Sequence, residues 1–251
     1  MPDIWSCEIV SNEKLAESIY AIVISCPDIA HTARAGQFVN IKCSEKSLLR
    51  RPISICSVDE GVKLVFEVKG EGTEWLAGQA PGQILDVLGP LGNGFSLPRG
   101  NVIVIGGGIG APPMLFAARS SSAESTAILG FRDISRIILK NEFETVCDKV
   151  YVTTDDGSSG IHGTVTVPLA DLMKNGGYES VLACGPRVML QAVAEICKHH
   201  GVPCMVSLEE RMGCGIGACV VCACATIKDG VEGMSRVCKD GPVYDANEIV
   251  W

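Results

Sequence analysis

The chain has 251 residues, room for one large domain or two modest ones with a small appendage. With 47% hydrophobic and 20% charged residues it can bury a sizeable core, which excludes extended disorder. The net charge is −8 and the 21 basic residues form no run, so neither nucleic acid nor an anionic membrane is expected as a partner.

The opening MPDIWSCEIVSNEK has neither the basic start nor the apolar core of a signal peptide. Up to residue 98, five stretches alternate apolar and polar residues: SIYAIVISC, GQFVNIKC, RPISICSV, GVKLVFEVK and QILDVLG. Gly- and Pro-containing turns separate them, as in a closed antiparallel barrel, and a short helix is predicted around GTEWLAG. From residue 100 the rhythm changes. NVIVIGG is an apolar strand, followed by helix APPMLFAARS, strand TAILGF, helix RIILKNEF and strand KVYVTTDD. Helix VPLADLM, strand SVLACG, helix RVMLQAVAEICKHHG and strand PCMVSLE complete the series. Apolar strands alternating with helices predict a parallel sheet covered on both faces. The most apolar segment, 102–118, is broken by four glycines and two prolines, so it reads as strand, loop and helix start rather than a membrane span. Residues 207–251 show no such rhythm. The expected organisation is a β-barrel over 1–98, a Rossmann-like α/β domain over 99–206 and a small cysteine-rich domain over 207–251, in a soluble cytoplasmic protein.

Of thirteen cysteines, Cys7, Cys26, Cys43, Cys56, Cys147, Cys184, Cys197 and Cys204 stand singly among apolar residues and read as core thiols in a reducing compartment. The other five crowd into RMGCGIGACVVCACAT (211–226) and Cys238. Cys214-x4-Cys219-x2-Cys222 with a later fourth cysteine has the plant-type [2Fe–2S] spacing, although Cys238 follows sooner than in plant ferredoxins. Gly215, Gly217 and Ala218 let backbone N–H groups approach the sulfurs. A four-cysteine zinc site is the alternative, and Cys224 is a spare thiol that could stand in for Cys222.

Arg51-Pro52-Ile53-Ser54 offers a guanidinium for a pyrophosphate and a small hydroxyl for a planar ring's edge, but a surface arginine before a strand proline explains it equally well. Gly70-Glu71-Gly72-Thr73 opens the predicted helix and could hold a second part of an anionic cofactor. Gly106-x-Gly108-x-x-Ala111 follows a strand and opens a helix, the context of a dinucleotide-binding turn. Asp133 lies at the distance of a ribose-reading acid, while Arg132 beside it could welcome a 2′-phosphate, which leaves NAD against NADP open. The loops at 154–158 and 183–186 end predicted parallel strands, where ligands bind such sheets. The four histidines lack metal-like neighbours, and no hydrolytic constellation is present.

RPIS in a barrel, GGGIGAPP opening a Rossmann-like domain and a late ACGP resemble the ferredoxin–NADP reductase superfamily. TDDGSSGIHGTVT, EERMGCGIGACVVCACAT and RVCKDGPVY resemble, within it, the electron-transfer subunits of class 1B dihydroorotate dehydrogenases, nearly end to end. The resemblance implies FAD at Arg51, Pro52, Ile53, Ser54, Val65, Phe66, Glu67, Gly72 and Thr73, with Ser54 near the reactive edge. It implies NAD at Gly106, Gly108, Gly110 and Asp133, with Cys184 near the nicotinamide and so removed from the core thiols. Cys214, Cys219, Cys222 and Cys238 become the cluster ligands. The implied partner is an FMN-containing catalytic subunit, two of each chain in a heterotetramer serving pyrimidine (UMP) synthesis. Electrons would run from dihydroorotate through FMN, cluster and FAD to NAD. Reductase subunits of sulfhydrogenases and NADH-dependent ferredoxin:NADP oxidoreductases share these motifs and remain the alternative.

Overall fold

The computed structural model describes residues 3–45 and 47–251; Met1 and Pro2, which open the first predicted domain, and Lys46 lie outside it. Strands β1 (Asp3–Ala16) and β2 (Ile19–Ser25) lead through helix α1 (Pro27–Thr32) to β3 (Phe38–Ile41), β4 (Arg51–Ser57) and β5 (Val62–Glu67). Helix α2 (Glu71–Ala77) and β6 (Ile84–Leu91) complete a closed barrel in the order β1-β2-β5-β4-β3-β6. The five predicted strands are all present; the sixth, β1, was not predicted. Only Cys7 and Ile9 of its fourteen residues are buried, so its apolar signal is thin. It pairs with β6 through Asp3 to Glu8 and with β2 through Glu8 to Ala16, with a register shift between Ile9 and Ser11 where the strand passes from one partner to the other.

The second half contains β7 (Val102–Gly107), α3 (Ala111–Ser120), β8 (Ser125–Phe131), α4 (Lys140–Val146), β9 (Lys149–Thr154) and β10 (Ile161–His162). It continues with α5 (Thr166–Asn175), β11 (Ser180–Cys184), α6 (Arg187–His200) and β12 (Cys204–Ser207). The helix expected over RIILKNEF starts late. Asp133 caps a 3₁₀ turn at Ile134–Arg136, and Leu139 takes φ 59° before α4 begins. Ile138 and Leu139 are buried there, so packing rather than helical periodicity explains their apolar character.

The cysteine-rich segment is more ordered than its sequence rhythm implied. It forms a hairpin of β13 (Ala223–Lys228) and β14 (Val231–Arg236), then β15 (Val243–Asp245). The hairpin turns on Asp229-Gly230, with φ 52° and 78°, the two positive values that a two-residue I′ turn requires. The large sheet has the order β10-β9-β8-β7-β11-β12-β15, parallel except for β15, which joins antiparallel to β12. The third predicted segment thus covers an edge of the second segment's sheet.

Two apolar clusters fill the molecule. One runs from the barrel interior through α3 to one face of the sheet. The other lies on the opposite face, under α5 and α6, and continues into Cys222, Val237, Cys238 and Tyr244 of the cysteine segment, together with Phe38 and Leu91 of the barrel. Burial of apolar surface therefore joins all three segments. Among the described residues no helix is long and apolar enough to cross a membrane.

Candidate functional site

A groove of about 220 Å³ opens where barrel, sheet and cysteine segment meet. Seven of the residues expected at a flavin line it: Pro52, Ile53 and Ser54 from β4, Val65, Phe66 and Glu67 from β5, and Thr73 from α2. Strands β4 and β5 are antiparallel neighbours, which is why motifs a dozen residues apart converge. Phe38, opposite Ser54 on β3, lines the groove too and was not picked out from sequence. The far wall comes from Ile109, Leu208, Met212 and Pro242. An apolar slot with a hydroxyl along it suits a planar ring system.

Arg51 does not line the groove. Its guanidinium lies against Gly72 at the start of α2, in space that a Cβ at Gly72 would fill, and Nη1 donates to the Leu49 carbonyl at 2.6 Å. A cation held at the opening turn of a helix fits a pyrophosphate. Thr73 serves locally: its hydroxyl accepts from Lys69 N–H at 2.9 Å and donates to the Gly70 carbonyl at 3.0 Å.

A larger cavity of about 630 Å³ adjoins the groove and shares Glu67, Lys69, Ile109 and Glu209 with it. It lies at the carboxyl ends of β7 and β11, where strand order reverses and open α/β sheets bind ligands. Gly107, Gly108, Gly185 and Pro186 line it. Gly108 has φ 53° and open space around it, so backbone can approach a phosphate there. Gly106 and Gly110 do not line the cavity and are tightly packed. A Cβ on Gly106 would strike the Ala111 backbone, and one on Gly110 would strike the Cys184 carbonyl, so these two set the close packing of strand and helix. Thr153, also in the lining, has a buried hydroxyl without a partner among the described residues, a group that a bound nucleotide could satisfy.

Two more expected residues stand off this cavity. Asp133 turns its carboxylate onto Ser135, accepting from N–H at 2.8 Å and from the hydroxyl at 2.5 Å, while Arg132 and Asp155 line the wall. Cys184 ends β11 outside the lining with its side chain buried, and burial pushes its thiol up to about 12, with Ser207 pulling the other way. It is a neutral thiol. Between groove and cavity, Glu67 is clamped by Arg136 at 2.8 Å and Lys69 at 3.3 Å. Glu209 reaches solvent at this boundary, yet the protein around it raises its pKa against the pull of Lys69.

The cysteines fall into two pairs. Cys214 N–H donates to Cys219 Sγ at 3.3 Å, and Cys219 N–H to Cys214 Sγ at 3.4 Å. Cys238 N–H donates to Cys222 Sγ at 3.4 Å. Among the described residues, no three His, Cys, Asp or Glu side chains gather as a single metal ion would need. Two thiol pairs suit two irons with two thiolates each. Burial works against ionisation of Cys214, but N–H groups of Ile216, Cys219 and Ala218 outweigh it and bring its pKa to about 6. Those donors fit anionic sulfur. Cys224 is buried against Tyr244, and Cys222 is the thiol that receives the Cys238 N–H. The pairs differ in exposure: Cys219 is exposed, whereas Cys222 and Cys238 are buried toward the barrel.

Known proteins sharpen this geometry. The family model for the iron-sulfur cluster binding domain of dihydroorotate dehydrogenase B matches residues 209–250. A dihydroorotate dehydrogenase B (NAD(+)) electron transfer subunit from Desulforamulus reducens is 38% identical, with 100% of each chain covered. A solved NADH-dependent reduced ferredoxin-NADP oxidoreductase is 34% identical, with a TM-score of 0.86 over 98% of this chain and 90% of that one. The ferredoxin reductase of carbazole 1,9a-dioxygenase is 19% identical, with a TM-score of 0.67 over 80% of this chain and 67% of that one, a likeness of fold alone.

Proposed function

The chain belongs to the family of electron transfer subunits of NAD-dependent dihydroorotate dehydrogenase B, and from that premise we propose how its residues divide the work. The chain is an oxidoreductase subunit that carries electrons from a dihydroorotate-oxidising catalytic subunit, by way of a [2Fe–2S] cluster and FAD, to NAD⁺ in pyrimidine synthesis. One observation carries the reading of the site: a single groove is bounded by the nucleotide cavity on one side and by Met212 and Pro242 of the cysteine segment on the other. A flavin held there supplies one-electron exchange toward the cluster and two-electron exchange toward the nicotinamide.

The residues then take separate parts. Pro52 to Ser54 and Val65 to Glu67 hold the flavin ring, with Ser54 toward its reactive edge, and Arg51 with the Gly72 turn holds the pyrophosphate. Gly107, Gly108, Gly185 and Pro186 present backbone to the nicotinamide nucleotide, while Gly106 and Gly110 keep the turn tight enough to do so. Cys184 supports the nicotinamide end from beneath, as a neutral thiol. Cys214, Cys219, Cys222 and Cys238 hold the cluster. The division into 1–98, 99–206 and 207–251 follows these tasks, with β15 as the strand that crosses back.

The partner is an FMN-containing catalytic subunit, in a heterotetramer of two each. Exposed Ile216, Val220 and Val221 surround exposed Cys219 and offer it an apolar docking face beside the cluster. Thirteen free cysteines favour the reducing cytoplasm. The test is to isolate the complex without air and supply dihydroorotate. NAD reduction with a co-purifying FMN subunit is the expected result. A complex that oxidises NADH with a dye but ignores dihydroorotate would move the assignment to the ferredoxin-linked reductases, a second reading favoured by the 34% identical structure.

A further inference from the structure

We propose that the side-chain amide of Asn40 donates a hydrogen bond to a sulfur of the iron–sulfur site and thereby raises its reduction potential. This inference rests on the cluster reading above. Asn40 lies on β3 and is fully buried, yet among the described residues neither Nδ2 nor Oδ1 has a hydrogen-bond partner. A buried amide left unpaired is costly, and native interiors keep one mainly where something outside the polypeptide completes it.

The amide faces the cluster loop. A Cβ on Gly215, the residue after Cys214, would lie 2.6 Å from Asn40 Nδ2 and 3.5 Å from its Cγ. Gly215 also holds φ 75°, so glycine is favoured there by conformation and by space alike. The loop passes over the amide with no side chain between them. The same loop already turns the N–H groups of Ala218 and Cys219 onto Cys214 Sγ, at 3.3 and 3.4 Å. Asn40 adds a donor from the barrel side to this set.

Its place in the barrel gives the donor a role. Phe38, two residues earlier on the same face of β3, and Pro52, opposite Asn40 on β4, both line the flavin groove. Asn40 therefore lies between the two redox sites. An N–H donor stabilises the reduced cluster, which carries one more negative charge, over the oxidised one. Asn40 is thus a positioning and tuning residue that favours arrival of an electron at the cluster.

The test uses intact holoprotein in an EPR-monitored redox titration. Asn40→Leu removes the donor at similar volume, and Asn40→Asp removes it at the same shape while adding a carboxylate. Both should lower the cluster's midpoint potential and leave that of FAD in place. For Leu the reduced-to-oxidised ratio at fixed potential should fall about tenfold, or 59 mV for a one-electron couple. Wild-type protein labelled with ¹⁵N at the asparagine side chain should show nitrogen coupling to the reduced cluster in pulsed EPR, and Asn40→Leu should lose it. No asparagine coupling in wild type, or an unmoved cluster potential in the variants, overturns the assignment. A shift confined to FAD overturns it as well. Wild type with FAD and no EPR-active cluster would sink the cluster reading itself, a different failure seen before any variant is made.

Discussion

Two thiols two residues apart have different fates. Cys222 precedes β13 and receives the Cys238 N–H, whereas Cys224 lies within β13 against Tyr244. Cys222→Ser should therefore abolish the cluster, and Cys224→Ala should keep it, as iron content and visible absorbance will show. Spacing favours Cys222 and keeps Cys224 as a spare; strand alternation and the approach of residue 238, which separate the two thiols, are settled by folding. Gly110 teaches the same lesson. The family resemblance placed Gly110 at the NAD phosphates, and in the structure its missing Cβ makes room for the Cys184 carbonyl. Gly110→Ala should cost about 1–3 kcal/mol by overpacking, read as a lowered Tm, and should weaken NADH binding through displacement of the neighbouring turn. Asp133 was named for its distance along the chain, yet Ser135, two residues on, captures its carboxylate.

At the scale of elements, the β13–β14 hairpin was written in the sequence as a two-residue Asp-Gly turn between alternating runs, a signal that the cysteine pattern overshadowed. β1 was harder to find, because it exchanges neighbours midway and buries little. At the end of the hairpin, Arg236 binds Asp240 through Nε at 2.9 Å and Nη2 at 3.0 Å, and donates from Nη1 to the Gly217 carbonyl at 3.3 Å. It ties the turn that carries Cys238 to the loop that carries Cys214 and Cys219. Hydrogen bonds from Arg236 hold the Asp240 carboxyl below its ordinary range. A depressed carboxyl pKa contributes stability above the unfolded value and loses it as pH falls through the folded value. Asp240→Asn should thus release its cluster faster than wild type at neutral pH. The difference should vanish as pH drops through and below the carboxylate range, which bleaching rates of the two proteins will measure.

For the whole molecule, the cysteine segment has a structural task apart from its chemistry. β15 covers the edge of β12, Leu208 and Pro242 wall the flavin groove, and Asn93 of the barrel side donates to the carbonyls of Lys239 and Asp240 at 3.2 and 3.0 Å. Losing the cluster and losing the segment should therefore differ. Cys219→Ser changes one exposed ligand and should leave FAD binding and NADH-to-dye activity near wild type. Truncation after residue 207 opens an edge strand and removes five of the sixteen residues that line the groove, and should lose FAD and aggregate. Flavin content and gel filtration separate the two outcomes.

The sequence by itself determined the barrel's five alternating strands, the strand–helix rhythm of the sheet, the two glycine turns and the cysteine set. Each of these is a local pattern, set by side-chain period, turn conformation or ligand spacing. Tertiary structure alone decided that β15 returns to the sheet, that Gly110 packs against the Cys184 carbonyl, that the Cys184 side chain is buried and that Asn40 faces Gly215. Those outcomes depend on which surfaces meet when apolar area is buried, between residues up to 175 positions apart in the case of Asn40 and Gly215. No window along the chain holds both halves of such a contact.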